Sequence, residues 1–272
     1  MSREELVEVW KPSGILDTDV DEFLKSVAIS VADQKTIMQT PQRSDQWHTY
    51  RAKRITASNF GAIVGVNPFA SPKSALKNML WPRRFTCAAT EWGTKYEDTA
   101  ARIFQTEMVQ KRPELGIASV QFPGLIVSPE KPYFGCSPDG IVVMKSGRRK
   151  GLEIKCPFAK KLYPVIPAYY YAQIQGTCGL LNLESYFFQV WTPQETVIEE
   201  YAFDRDYYFQ FLIPRMEKFY FEEYMPLAIL KHKGLLPEGS VVAAGEEAVA
   251  AESETDPEPK IISPPPFLWS SS

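Results

Sequence analysis

The sequence predicts an α/β (α+β) fold in which helices flank a central mixed β-sheet. Three observations support this. Helical spacing of apolar residues dominates the chain up to about residue 105, and a run of short strand patterns follows between residues 124 and 156. A further helical pattern then separates this run from two more strands and a long final helix. Helices placed before, between and after strands are typical of a sheet with helices packed against it.

The predicted helices begin at recognisable signals. Ser44 or Asp45 is a suitable N-cap for a helix that runs to Tyr50, and Pro72 lies where the first turn of another helix tolerates its missing N–H. The remaining helices follow from apolar residues three or four positions apart. They are predicted at residues 59–64, 71–80, 91–105, 167–181 and about 204–230.

The predicted strands are short runs of β-branched and aromatic residues between turn residues. The basic connector at residues 145–150 joins two of them as a hairpin. The strands are predicted at residues 124–127, 133–136, 141–144, 152–156, 186–191 and 197–203.

Composition divides the 272 residues into three segments. Residues 1–40 carry a net charge of −4 and are predicted to form a partly helical N-terminal extension. Residues 237–272 carry −6, are rich in Ala, Glu, Pro and Ser, and are predicted to be a disordered tail. Residues 41–236, the predicted core, carry +7. A basic core suits a phosphate backbone, although scattered lysines also serve solubility alone.

The sequence disfavours a membrane protein and a zinc protein. It contains no run of about eighteen apolar residues and no secretory signal, so we expect an intracellular protein of the host cytoplasm or nucleus. The four cysteines form no Cys-x-x-Cys pair, and the histidines are His48 and His232. A zinc site is therefore not expected, and the cysteines are predicted to be free thiols.

The most informative motif is Ser137–Gly140 followed by Glu153-Ile154-Lys155. Side chains alternate along a strand, so Glu153 and Lys155 share one face, and the hairpin returns Glu153 towards Asp139. Two carboxylates brought together repel unless a cation is shared, and hard oxygen ligands suit Mg²⁺. A lysine beside such a metal can position a water for phosphodiester hydrolysis. The alternative is an exposed strand whose Glu and Lys form a solvated face.

Six motifs in order resemble the YqaJ-type viral recombinase family, the phage lambda exonuclease-like branch of the PD-(D/E)XK nucleases. The resemblance covers roughly residues 41–230, and its specificity comes from the order and spacing of the motifs. These are Trp47–Arg51, Arg54–Ser58, Trp92–Glu97, Ser137–Gly140, Gly151–Phe158 and Tyr171–Gln175.

The resemblance implies a restriction-endonuclease-like core with a catalytic metal site. Asp139, Glu153 and the backbone carbonyl of Ile154 would hold Mg²⁺, for which Mn²⁺ is a substitute. Glu97 would reach the same metals, partly through water, although without the family it reads as an exposed helix acid. Lys155 would position or activate the attacking water.

The resemblance also implies a residue that supports this site and a set that binds a 5′-phosphate. Gln173 would lie by the metal site and orient Lys155 or the water. Arg51, Ser58 and Ser137 match the phosphate positions. Lys161 falls where the phage enzyme has an arginine, and a lysine there lacks the planar fork.

The function implied is a Mg²⁺-dependent deoxyribonuclease that degrades duplex DNA from its 5′ end. Its partners would be double-stranded DNA ends and a single-strand annealing recombinase that uses the 3′ overhangs. Family members often form a ring-shaped homotrimer, which nothing in the sequence itself shows. The alternatives are a structure-specific or restriction-like endonuclease or RNase on the same fold, a non-catalytic DNA-end binding module, and an interaction protein acting through its acidic tail.

Overall fold

A computed structural model describes residues 14–83 and 86–238. Its strands are β1 (Ile55–Thr56), β2 (Ile117–Gln121), β3 (Ile126–Val127), β4 (Phe134–Cys136), β5 (Gly140–Met144), β6 (Arg149–Lys155), β7 (Ser185–Trp191) and β8 (Thr196–Ala202). Its α-helices are α1 (Asp17–Val27), α2 (Val31–Gln39), α3 (Asp45–Arg51), α4 (Phe60–Ile63), α5 (Pro72–Leu80), α6 (Ala88–Phe104), α7 (Ala168–Leu181), α8 (Ile213–Lys218) and α9 (Met225–His232). The predicted mixed α/β class is confirmed.

The central sheet has five strands in the order β2-β5-β6-β7-β8. Strands β6 and β7 are parallel, and the other neighbours are antiparallel. A parallel pair needs a crossover, and α7 provides it between β6 and β7. This helix therefore lies across the strand that carries Glu153 and Lys155.

A second, smaller sheet of β1, β4 and β3 was not predicted as a separate sheet. Strand β1 pairs with β4 in parallel over only two residues, which is too short for a period to be visible. Strand β2 was not predicted either, because a register shift between Ile117 and Ser119 interrupts the alternation of its side chains.

The C-terminal helical segment combines α-helix with wider π-helical turns. The π turns Tyr207–Leu212 and Phe219–Tyr224 come shortly before Pro214 and Pro226. Proline removes a helical N–H and crowds the preceding turn, and a wider turn accommodates that. The long predicted helix at about 204–230 is thus a chain of shorter segments.

The described part of the N-terminal segment packs into the protein. Val20, Phe23 and Val27 of α1 are buried in a core cluster shared with the C-terminal helices. The buried side chain of Arg54 donates from Nη2 to the carbonyl oxygen of Val27 at 2.7 Å. The domain boundaries at residues 40 and 237 stay predictions, and most of the predicted tail lies outside the described residues.

Two glycines allow α4 and α7 to approach closely. A Cβ atom at Gly176 would come within 2.2 Å of the Phe60 ring, and one at Gly61 within 2.6 Å of Tyr169. This packing fixes the segment that follows Arg51 against the helix that carries Gln173.

Within the residues that the structure describes, no helix is long and apolar enough to cross a membrane.

Candidate active site

The β5–β6 hairpin brings Asp139 and Glu153 to one end of the central sheet. Gly140 pairs with Leu152, and the backbone N–H of Ile154 donates to Asp139 Oδ2 at 2.7 Å. Leu152 and Ile154 point into a hydrophobic cluster, as the alternation predicted. The opposite face carries Glu153 and Lys155.

Glu153 is the centre of a buried polar cluster. Its side chain is almost fully buried, which rules out the solvated-face alternative for this residue. Its Oε1 accepts hydrogen bonds from Lys155 Nζ at 2.6 Å and from Gln173 Nε2 at 2.5 Å. The structure therefore places Gln173 beside both charged residues, with α7 as its support.

Electrostatics at this cluster oppose the charge of Asp139 and favour that of Lys155. Burial raises the pKa of Asp139 well above its ordinary value, and the like charge of Glu153 raises it further. Burial opposes the charge of Lys155, but the carboxylates of Glu153 and Asp139 outweigh it and raise the pKa of Lys155. The Lys155 Nζ also lies 4.5 Å from the centroid of the Tyr170 ring. Lys155 is thus held as an ammonium ion, which suits a donor rather than a base.

Glu97, on α6, faces a cleft that Asp139 also lines. It lines a cavity of about 350 Å³ together with Asp139 and Ile154. Its Oε2 accepts a hydrogen bond from Arg43 Nη2 at 2.5 Å. Sequence reasoning missed Arg43, because no periodic pattern or familiar motif marks it.

The donor set fits a magnesium ion only in part. Asp139 and Glu153 supply hard oxygens whose mutual repulsion a cation would relieve, and Mg²⁺ commonly uses one or two protein carboxylates with phosphate oxygens and water. Within residues 14–83 and 86–238, no three His, Cys, Asp or Glu side chains converge as a complete metal site. The metal roles of Glu97 and of the Ile154 carbonyl stay predictions; the contact seen for Ile154 is through its N–H.

A second cluster forms around the guanidinium of Arg51. Its Nη2 donates to Thr56 Oγ1 at 2.8 Å and to Ser58 Oγ at 3.2 Å, and the group stacks 4.2 Å from the Trp47 ring. Trp47 Nε1 in turn donates to Ser137 Oγ at 3.2 Å. The structure therefore joins the three residues predicted to bind phosphate, and adds Trp47 and Thr56.

Arg51 is suited to an anion from outside the protein. Burial lowers the pKa of Arg51 to about 10, so it remains charged at neutral pH. No carboxylate among the described residues forms an ion pair with it. A partly buried cation without a counter-charge is costly unless an anion binds, and a guanidinium fork matches phosphate.

Lys161 is not joined to this cluster. It lies exposed in the loop between β6 and α7, and the described residues offer it no hydrogen bond or ion pair. Its neighbour Lys160 instead lies with Nζ 5.0 Å from the Trp92 ring. A phosphate contact by Lys161 stays a prediction.

Comparison with known proteins gives the same assignment as the motifs. A family model described as the YqaJ-like viral recombinase domain matches residues 46–179. Proteins from two African swine fever virus isolates are 28% identical over 158 residues and 26% identical over 167 residues. Each match covers 51% of this chain and 46% of the viral protein, so the chain spans about half the length of those relatives.

A solved structure shows the fold. An alkaline exonuclease from Laribacter hongkongensis superposes with a TM-score of 0.55 at 23% identity, over 70% of this chain and 98% of the bacterial chain. The same enzyme in complex with dAMP gives a TM-score of 0.53 at 22% identity. The shared architecture is the restriction-endonuclease-like core that the motifs implied. Residues 46–179 of this chain therefore match the YqaJ-like viral recombinase domain in sequence, and the chain shares the fold of the alkaline exonuclease.

Proposed function

We propose that this protein is a Mg²⁺-dependent deoxyribonuclease that digests one strand of duplex DNA from its 5′ end and leaves 3′ overhangs. One observation carries the proposal: the carboxylate–lysine cluster and the Arg51 cluster adjoin. Ser137 contacts the second cluster, and Asp139, two residues later, belongs to the first. A strand whose terminal phosphate contacts Arg51 would present its next phosphodiester near Asp139 and Glu153.

The side chains of the first cluster suit hydrolysis of that linkage. A bound Mg²⁺ would polarise the scissile phosphate and lower the pKa of a coordinated water. Asp139 and Glu153 would supply oxygen ligands, and Gln173 holds the Glu153 carboxylate in place through its hydrogen bond. Lys155, kept charged by its neighbours, would orient the water and balance the charge that develops on the phosphate.

The side chains of the second cluster suit recognition of a DNA end. Arg51, Ser58 and Ser137 offer donors to a phosphate and no contact that distinguishes bases, so cleavage should be nearly independent of sequence. The alkaline exonuclease named above has the same fold, which supports an exonuclease here. The 3′ overhangs would serve a single-strand annealing recombinase, and a homotrimer would provide processivity.

The test compares variants on defined DNA ends. We expect Asp139→Asn and Lys155→Ala to lower the rate of digestion of labelled, 5′-phosphorylated linear duplex by at least 10²-fold in Mg²⁺. Asp98→Asn, which makes the same chemical change on an exposed residue of the same cleft, is the matched control. Full activity in either site variant, or full wild-type activity in EDTA, would refute the assignment.

The choice of substrate separates the alternatives. An enzyme that needs an end spares closed circular duplex and prefers a 5′-phosphate to a 5′-hydroxyl. Cutting of the circle would indicate an endonuclease, and cleavage of RNA in place of DNA would indicate an RNase. Tight binding of ends without any product would indicate a non-catalytic module.

A further inference from the structure

Arg43 contacts Glu97, which lines the cleft, and has a backbone conformation that L-residues rarely adopt. Its φ angle is 67°, in the left-handed region that favours glycine. Its neighbour Gln42 fixes this segment, because Nε2 donates to the carbonyl oxygens of Pro123 at 3.0 Å and Pro138 at 3.4 Å. Pro138 directly precedes Asp139, so the segment is attached beside the carboxylate cluster. Backbone strain held in place next to a site is a common mark of function.

The side chain of Arg43 forms an ion pair with Glu97 of α6. Its Nη2 lies 2.5 Å from Glu97 Oε2, and the two side chains are 51% and 30% exposed. An ion pair this exposed contributes little to stability, so it does not account for the strained backbone. The guanidinium instead donates a hydrogen bond to the carboxylate of Glu97, which the family resemblance assigns to the metals.

We propose that Arg43 is a positioning residue that neutralises Glu97 in the metal-free protein and contacts a substrate phosphate once a divalent cation takes over Glu97. The inference rests on the proposed function, because it requires both a metal and a nucleic-acid phosphate at this cleft. A guanidinium and a divalent cation compete for the same carboxylate. The fixed backbone keeps the released guanidinium at the cleft, where a phosphate is the anion that its planar fork matches.

This exchange predicts opposite effects on two ligands. Removal of the Arg43 side chain should strengthen metal binding, because the competitor for Glu97 is gone. The same removal should weaken binding of DNA, because one phosphate contact is lost. A residue with a purely structural role would weaken both or change neither.

The experiment uses the full chain and the variant Arg43→Gly. Glycine adopts a φ of 67° without strain, so this variant should fold at least as well as the wild type. With Mn²⁺ titrated calorimetrically in the absence of DNA, we expect a dissociation constant roughly three- to tenfold smaller than in the wild type. On 5′-phosphorylated duplex at saturating Mn²⁺, we expect a KM roughly three- to tenfold larger, with kcat little changed.

Two further variants make the result specific. Arg102→Ala removes an arginine that lines the same cavity as Glu97, and so measures the general effect of losing a positive charge there. Arg43→Lys keeps the charge without the fork, and should recover part of the wild-type KM. An equal Mn²⁺ affinity in wild type and Arg43→Gly, or a gain no larger than that of Arg102→Ala, would overturn the role of Arg43 alone. If no variant binds Mn²⁺, the proposed function fails as well.

Discussion

Asp139 illustrates the conflict between stability and function at a single residue. Burial and the charge of Glu153 raise the pKa of Asp139, so its ionised form opposes folding in the metal-free protein. The cost is absent below the pKa of the unfolded chain, develops as pH rises towards the folded-state pKa, and is complete above it. If the proposed metal site is correct, a site that holds this carboxylate gives up stability for function.

Asp139→Asn should accordingly stabilise the metal-free protein while abolishing activity. At pH 8 in EDTA we expect a melting temperature a few degrees above that of the wild type. The gain should shrink as pH falls and the wild-type carboxyl becomes protonated, and also when Mg²⁺ is added. Thermal melts at several pH values measure this. A variant less stable than the wild type at pH 8 would contradict the raised pKa, and Asp98→Asn, at an exposed residue, is the control for loss of a carboxylate.

Sequence predicts some residues of the site and not others, for physical reasons. Glu153 and Lys155 were predicted because strand alternation is a local property. The contact between Trp47 and Ser137 joins residues 90 positions apart, and that separation leaves no periodic signal. Arg43 was missed because its role depends on a backbone angle and on a partner 54 residues away.

At the scale of elements, the site depends on the contact between α4 and α7. Gly176 lies against the ring of Phe60, which is fully buried. Strand β6 was predicted from the alternation of its apolar residues and β7 from its aromatic and apolar run, whereas β1 has only two residues and a register shift interrupts β2. The close approach of two helices through glycine is a tertiary feature that helical periodicity does not report.

Gly176→Ala should therefore destabilise the protein and impair catalysis. Alanine favours a helix by about 1 kcal/mol over glycine, but overpacking a core costs typically 1–3 kcal/mol. We expect a net loss of about 1 kcal/mol in urea unfolding and a lower kcat, because α7 also positions Gln173. Gly93→Ala in α6 is the matched control, since its Cβ would meet nothing within 4 Å. Equal or greater stability of Gly176→Ala would contradict this packing.

At the scale of the whole molecule, the two acidic ends of the chain differ. Residues 1–40 were predicted as an extension because their helical period is weak. In the structure, four apolar residues of this segment are almost fully buried against the C-terminal helices: Ile15, Val20, Phe23 and Val27. The Phe23 ring centroid lies 6.4 Å from those of Tyr220 and Tyr224. The weak helical period in the sequence therefore did not indicate that these four residues belong to the hydrophobic core.

Truncation at each end should have opposite outcomes. Burial of a large apolar side chain contributes roughly 1.5–3 kcal/mol, so four of them, roughly 6–12 kcal/mol, equal the total stability of about 5–15 kcal/mol that a typical domain has. Removal of residues 1–40 also leaves Arg54, whose Nη2 donates to Val27, buried without that acceptor. We expect this truncated chain to lose its cooperative thermal transition. Removal of residues 239–272 leaves every described contact in place, and should preserve both the transition and the nuclease rate. A cooperative, active protein that begins at residue 41 would show that the N-terminal helices are dispensable and that the boundary predicted from sequence was correct.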